Sequence, residues 1–290
     1  MNVLAAADLD DYCAPLREPE VRRELASRTG FPLKIAGAYL DAICNEAHTA
    51  LRLLVWAGLR AQDRVLEVGA GAGLLTGYLQ ARGIDLVAIE PTGEGFEATP
   101  TVTDVVGKAI GNSCKMLPLA ARELDPSRHG QFNLIFSVNV LEHFQPMKEN
   151  LAALAGVMAP YGRQVHTCPN YHVPYEPHYG IPLVPVAPRL TPYFGRRRLR
   201  SENVWRSLNF ITATDLRRYA KRSGLEIVFK SGTFGEAFER LCAEPAFAAR
   251  HPRLLRRVAG LMEGVGLTAA LKKLPPTWVT PMTVLLRRPC

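Results

Sequence analysis

Glu67-x-Gly69-x-Gly71-x-Gly73, with Glu90 closing the next apolar run, is the pattern in this chain that most directly specifies chemistry. Glycines without a Cβ allow a tight turn whose backbone lies against a ligand. N–H groups at the start of a following helix favour its anionic or polar parts. A carboxylate at the end of the second strand, where Glu90 falls, can accept hydrogen bonds from both hydroxyls of a ribose. The combination reads as a site for a nucleoside cofactor. The glycine spacing departs from the G-x-G-x-x-G of dinucleotide enzymes, because the third glycine arrives one residue early.

Two further stretches hold reactive side chains. His143 follows the apolar run 132–138 and has two readings: a general base with an ordinary pKa near 6.5, or a residue that merely opens and caps the next helix. Residues 166–182 gather three histidines, three tyrosines, Cys168 and Glu176 among four prolines. They read as a rigid acceptor wall with Tyr171, Tyr175, Glu176 and His178 facing the substrate. A zinc site of Cys168, His172, Glu176 and His178 is a second reading, unsupported by any paired-cysteine spacing, and a purely structural loop is the third.

Elements of a definite kind are needed to position these residues. Val65–Val68 is an unbroken apolar strand, and Leu74–Arg82 continues as a helix with Leu75 and Leu79 on one face. Strands are expected at 84–89, 113–117, 132–138, 163–167, 225–229 and 281–286. Helices are expected at about 102–110, through Leu151 to Met158 until Pro160 and Gly162 stop it, and up to Ser223 after a Thr212 or Thr214 cap. Leu33–Leu59 predicts an amphipathic helix with Ile35, Tyr39, Ile43, Ala47, Leu51, Leu54 and Val55 on its apolar face, covering the sheet or capping the pocket. Strands alternating with helices of this length imply a parallel sheet with helices on both faces.

The acid-x-G-x-G-x-G turn with Glu90 resembles motif I of class I S-adenosylmethionine-dependent methyltransferases, and Phe132-Asn-Leu-Ile-Phe-Ser-Val-Asn-Val-Leu-Glu-His143 resembles a later motif of the same family. The chain is similar to the methyltransferase type 11/23 group and to the quinone-pathway O-methyltransferases. The resemblance implies a Rossmann-like α/β fold with a central, mostly parallel seven-stranded sheet, helices on both faces and an antiparallel last strand entering between its two predecessors. It also implies S-adenosyl-L-methionine as cofactor, held by Glu67, Gly69, Ala70, Gly71, Gly73, Glu90, Pro91, Ala120, Ala121 and Asn139. His143, Glu176 and His178 are then the catalytic candidates, and Tyr171, His172 and Tyr175 the substrate-binding ones. The chain departs from the pattern in two places. Asn139 replaces the first carboxylate of E-x-x-E-H, so no metal is expected. Ala120 replaces the Asp that contacts adenine, leaving that work to the backbone of Ala120 and Ala121 or to Asn112.

Charge divides the chain unevenly. Residues 1–186 carry 15 Lys/Arg against 20 Asp/Glu, residues 187–222 carry 10 against 2, and residues 250–290 carry 8 against 1, within a net charge of +8. The arginines at 189, 196–198, 200 and 206 suit an anionic acceptor or form a solvated face. Nucleic acid is disfavoured, since no stacking platform or binding motif accompanies them. Residues 253–274 make an amphipathic helix with Leu254, Val258, Leu261, Met262 and Val265 on one stripe, readable as core, as lid, or as a helix lying on anionic lipid. The six cysteines form no C-x-x-C pair, which suggests reduced thiols. Neither a signal-peptide h-region nor an 18-residue apolar run occurs, so a cytoplasmic enzyme is expected.

The expected organisation is a helical lead-in or cap over 1–59 and a methyltransferase domain over 60–290, with a substrate loop at 168–192 and a basic helical insertion at 235–275. The expected reaction is methyl transfer, favoured at oxygen, to a small-molecule or lipid-linked acceptor. A nucleic-acid methyltransferase and a non-catalytic module that keeps the cofactor fold are the alternatives.

Overall fold

Uninterrupted aliphatic runs become the inner strands of the sheet, and amphipathic runs become the helices that cover it. A computed structural model describes residues 6–91, 98–112, 114–244, 248 and 253–289. Gly93 and Gly95, expected in the loop after Glu90, lie outside the described residues, as does the side chain of Leu254. The seven-stranded sheet takes its strands in the order Met116–Leu117, Asp85–Ile89, Arg64–Val68, Phe132–Val138, Met158–Cys168, Met282–Arg287 and Glu226–Phe229, and is mostly parallel with an antiparallel last strand, placed between its two predecessors as expected. The chain forms two compact units, residues 1–166 with 287–290, and residues 167–286.

In the first unit, α1 (Ala6–Cys13), α2 (Pro19–Thr29) and α3 (Leu33–Trp56) precede β1 (Arg64–Val68). Then come α4 (Leu74–Gln80), β2 (Asp85–Ile89), α5 (Thr99–Ala109), β3 (Met116–Leu117), α6 (Pro126–His129), β4 (Phe132–Val138), α7 (Met147–Gly156) and β5 (Met158–Cys168), whose last two residues fall in the second unit. β1 lies parallel between β2 and β4, with Val65 opposite Leu86 and Leu134, and Glu67 opposite Ala88 and Phe136. Buried on both faces, these strands read as continuous apolar runs.

Two expectations are corrected here. The buried stripe of α3 is Ala36, Leu40, Cys44, Ala47, Leu51 and Leu54, while Ile35, Tyr39 and Val55 are exposed. Small residues let α3 approach its neighbours closely: a Cβ on Gly37 would stand 3.0 Å from Arg22 Nη1. The helix turns small residues inward alongside Leu40, Leu51, Leu53 and Leu54, a mixed face that a count of large apolar side chains misses. The second correction concerns Pro160 and Gly162, which lie inside β5 and do not stop α7. A Cβ at Gly162 would fall 2.8 Å from the Phe132 carbonyl oxygen, so this glycine marks a close approach of two backbones.

The C-terminus of α3 is anchored by Arg163, whose Nε donates to Ala57 O and whose Nη2 donates to Gly58 O and Asp63 Oδ2, each at 2.6 Å. Orphan carbonyls at a helix end favour such a cation, and the bonds fix α3 relative to the start of β1.

The second unit continues with β6 (Tyr175–Glu176), β7 (Ile181–Pro182), α8 (Asn203–Ser207), α9 (Ala213–Arg222), β8 (Glu226–Phe229), α10 (Thr233–Ala243), α11 (Arg253–Gly264), α12 (Leu267–Leu271) and β9 (Met282–Arg287), whose last residue falls in the first unit. β6 and β7 pair antiparallel, so the proline-rich stretch expected as loop contains a short hairpin. Its core is Tyr171, Ile181, Leu183, Leu199, Trp205, Leu208 and Phe210. Asn170 ties the loop down: its Nδ2 donates to Thr277 O at 2.8 Å and Val279 O at 3.1 Å, and its Oδ1 accepts from Ala213 N. Thr212, not Thr214, caps α9 in a reciprocal box with Asp215.

Candidate functional site: a glycine-turn cavity

The turn after β1 has the backbone its glycines predict. Gly69, Gly71 and Gly73 have φ of 74°, 54° and 72°, the left-handed region that costs a side-chain-bearing residue. The Gly69 and Ala70 N–H groups donate to Ile89 O, tying the turn to the end of β2. The Gly71 N–H donates to Glu90 Oε2 at 2.9 Å. A Cβ at Gly69 would collide with Val140 Cγ2 at 2.4 Å, whereas one at Gly71 would meet nothing within 4 Å and would point into open space.

That space is a cleft partly open to solvent. Glu67 and the turn 69–72 form one wall, the end of β4 (Phe136, Ser137, Val138) another, and α3 supplies Ile43, Glu46, Ala47 and Ala50. Three carboxylates gather around it. Glu67 is buried and accepts a 2.6 Å bond from Thr76 Oγ1; burial, only partly offset by that bond, pushes its pKa up to about 8. Glu90 is also raised by burial, against the opposing pull of the Gly71 N–H. Glu46 Oε1 accepts from Asn139 Nδ2 at 3.2 Å, and Asn139 itself adopts a left-handed φ of 55°. Desolvation around its hydroxyl, although Tyr39 as a whole is exposed, and then the nearness of Glu46 and Glu90, raise the Tyr39 pKa. Such a setting favours a cationic ligand.

The expected cofactor residues fall into two groups. Glu67, Gly69, Ala70 and Gly71 line the cavity; Glu90 joins it through Gly71 and Asn139 through Glu46. Gly73 starts α4, and Pro91, Ala120 and Ala121 lie outside the lining. The adenine expectation is corrected in part. The Ala120 N–H donates to Glu123 Oε2 at 2.7 Å, and Asn112 Nδ2 donates to Gly77 O and the Tyr12 hydroxyl, so both groups serve the fold. His143 sits half-buried in a single 3-10 turn, Leu141–His143, and does not open α7, which begins at Met147.

Sequence reading missed two contributors. Glu46 interrupts the apolar face of α3, and its position three and seven residues from Ile43 and Tyr39 was the available signal. Ser137 reaches across to β5, where its Oγ lies 2.8 Å from His166 Nδ1, both fully buried. Burial depresses His166 to about 3. The native state therefore refuses a proton that the unfolded chain accepts below about 6.5, so this stability is present above that pH and is lost as pH falls toward 3. Acid titration of the melting temperature should show this loss, on the order of a few kcal/mol at most, and His166→Asn should flatten it; an unchanged profile would contradict the assignment.

The second unit builds its own constellation. Glu176 is fully buried; its Oε1 lies 2.6 Å from His178 Nδ1 and accepts from the Tyr171 hydroxyl at 3.1 Å, and its Oε2 accepts from the Tyr179 N–H. Burial opposes its ionisation, but the His178 bond and charge, with two backbone N–H groups, outweigh it and hold the carboxyl below the usual range. The expectation that Tyr171 and Glu176 face an acceptor is thus corrected: Tyr171 packs its ring against Phe210 and both point inward. Tyr175 and His178 are exposed at the residue level, and His172 Nε2 lies 3.3 Å from Thr214 Oγ1. Glu176 is engaged by Tyr171, His178 and Tyr179, and His172 by Thr214, which removes the basis for the zinc reading. His143 belongs to the first unit and the Glu176–His178 pair to the second.

A mostly parallel sheet whose first turn, built on left-handed glycines, borders a cavity lined by Glu46 and Glu67 is that of a Rossmann-like α/β protein. Comparison with known proteins gives the family: a methyltransferase-domain profile matches residues 40–229, and the chain belongs to this methyltransferase family, which uses S-adenosylmethionine. An uncharacterised protein of Mycobacterium tuberculosis is 34% identical over 211 residues, covering 70% of each chain. A ubiquinone biosynthesis O-methyltransferase of Bradyrhizobium diazoefficiens is 26% identical over 207 residues, covering 71% of this chain and 74% of the relative. The crystal structure of an S-adenosylmethionine-dependent methyltransferase from Mesorhizobium loti aligns with a TM-score of 0.50 at 14% identity, covering 84% of this chain and 98% of that one, which supports the fold. The residues present fit the cofactor: the open cradle at Gly71 admits it, Glu90 matches a ribose, and the ring of carboxylates matches its sulfonium and ammonium charges. Among the described residues no helix is long and apolar enough to cross a membrane.

Proposed function

We propose that this methyltransferase modifies an oxygen of a small-molecule or lipid-linked acceptor. The observation that carries the reading is the glycine-turn cavity, where left-handed Gly69 and Gly71 and the Gly71–Glu90 bond border open space beside the end of β4. His143, in the turn that follows β4, serves as the base that takes the proton of the acceptor hydroxyl. The bound cofactor supplies an electrophilic methyl group on sulfonium. The glycine turn holds its methionine end and ribose, Glu90 the ribose hydroxyls, and Glu67, Glu46 and Asn139 surround the charged end. The O-methyltransferase among the relatives supports oxygen as the target, and the arginines at 189, 196–198, 200 and 206 suit an anionic acceptor.

The test is methyl transfer from labelled S-adenosylmethionine to a panel of phenols, carboxylic acids and amines, each with and without a prenyl chain. Label in base-stable ethers or base-labile esters supports the reading, and label confined to amines contradicts it. On the best acceptor, His143→Ala should lower kcat roughly 100-fold or more and remove the acid limb of the pH–rate profile, with S-adenosylhomocysteine affinity unchanged. An unchanged kcat in His143→Ala would contradict its role as the base.

A further inference from the structure

The stripe on α11 behaves opposite to a core helix. Ala259, its small residue, is buried, while Leu261 and Val265 are 70% and 62% exposed and Val258 is exposed on the same face. These positions, i, i+3 and i+7, form a continuous ridge. Leu267 on α12, Leu274 and the 76%-exposed Trp278 extend the run of exposed apolar side chains toward β9. Large apolar residues grouped in this way are uncommon on a surface that meets only water. α11 and α12 pack on α10, where Gly235 admits the Lys272 side chain.

Cations flank the ridge. Arg257 and Lys273 are exposed, Arg256 and Lys272 are partly so, and Glu263 is the single acid between 256 and 278. Residues 167–286 as a whole carry 18 Lys/Arg against 8 Asp/Glu, a net +10, while the rest of the chain is net −2. We infer that α11, α12 and the segment through Trp278 seat the second unit on an anionic lipid bilayer. Leucine and valine side chains enter the acyl boundary, Trp278 lies at the headgroup level, and Arg257 and Lys273 meet lipid phosphates. Two copies joined through this face would oppose two strongly positive units, and nucleic acid would leave the leucine ridge in water; a bilayer satisfies both features at once. The inference stands independently of the acceptor's identity, and it gives a lipid-linked acceptor a place to be met.

Flotation of the full-length protein with vesicles of phosphatidylcholine, alone or with 30% phosphatidylglycerol, tests this. The protein should rise with the anionic vesicles at least ten-fold more than with the neutral ones, and less so as salt increases. Leu261→Asp with Val265→Asp should abolish flotation while leaving the melting temperature and S-adenosylhomocysteine affinity unchanged. Arg257→Gln with Lys273→Gln should weaken it and reduce its salt dependence. Failure of the wild type to float, or flotation of the Asp variant, would overturn the inference. So would light scattering that shows a dimer dissolved by the Asp substitutions without lipid binding. An acceptor panel that failed while flotation succeeded would count against the proposed reaction alone.

Discussion

Glu90→Ala should weaken S-adenosylhomocysteine binding roughly 10- to 100-fold, the range expected when hydrogen bonds to a charged group are lost. Glu90 has two tasks in one carboxylate. Oε2 receives the Gly71 N–H at 2.9 Å and so latches the turn, and the remaining acceptor capacity suits the ribose hydroxyls. In the proposed placement of the cofactor, removing it would leave the ribose hydroxyls unpaired and free the turn beneath the methionine end. Glu90→Gln keeps one acceptor oxygen and should fall between wild type and Ala. The melting temperature of the cofactor-free protein should change little, because burial already makes the ionised carboxylate costly. Unchanged affinity in calorimetric titration of Glu90→Ala would show that the ribose lies elsewhere.

The glycine turn gives the second large effect, and two neighbouring substitutions separate fold from function. Both Gly69 and Gly71 have a left-handed φ, so alanine costs about 1 kcal/mol at either position. At Gly69 the added Cβ also strikes Val140 Cγ2 at 2.4 Å, and overpacking adds about 1–3 kcal/mol. Gly69→Ala should therefore lower the melting temperature clearly and lose binding as a consequence. At Gly71 the Cβ meets no protein atom within 4 Å and would enter the space that the proposal gives to the cofactor. Gly71→Ala should melt close to wild type yet lose at least ten-fold in cofactor affinity. Equal stability losses in the two variants, or a Gly71→Ala protein that binds normally, would contradict the cradle.

Local chemistry explains why parts of the molecule could be read from the sequence. β1, its turn and β2 are set within 26 residues by an apolar run, three glycines and another apolar run, and the same holds for the seven residues of β4. The cofactor class came from glycine spacing together with the family resemblance. What escaped depended on long-range packing. The face of α3 turned because Ala36, Gly37 and Ala47 permit close approach, which counting large apolar residues ignores. Asn112 and the Ala120 amide looked available for adenine, yet Gly77, Tyr12 and Glu123 already use them. Glu176 looked like a substrate contact and is an inward anchor, because the β6–β7 hairpin folds Tyr171, His178 and Tyr179 around it. The α11 stripe was readable as apolar, but only the packing of Ala259 against the unit shows which side is open.

Calorimetric titration of the wild-type protein with S-adenosylhomocysteine, with NADH as the control ligand, tests the central claim most directly. Micromolar binding of S-adenosylhomocysteine with no binding of NADH is the predicted result. Binding of NADH with equal strength, or of neither ligand, would contradict the assignment of the glycine-turn cavity as the methyl donor's site.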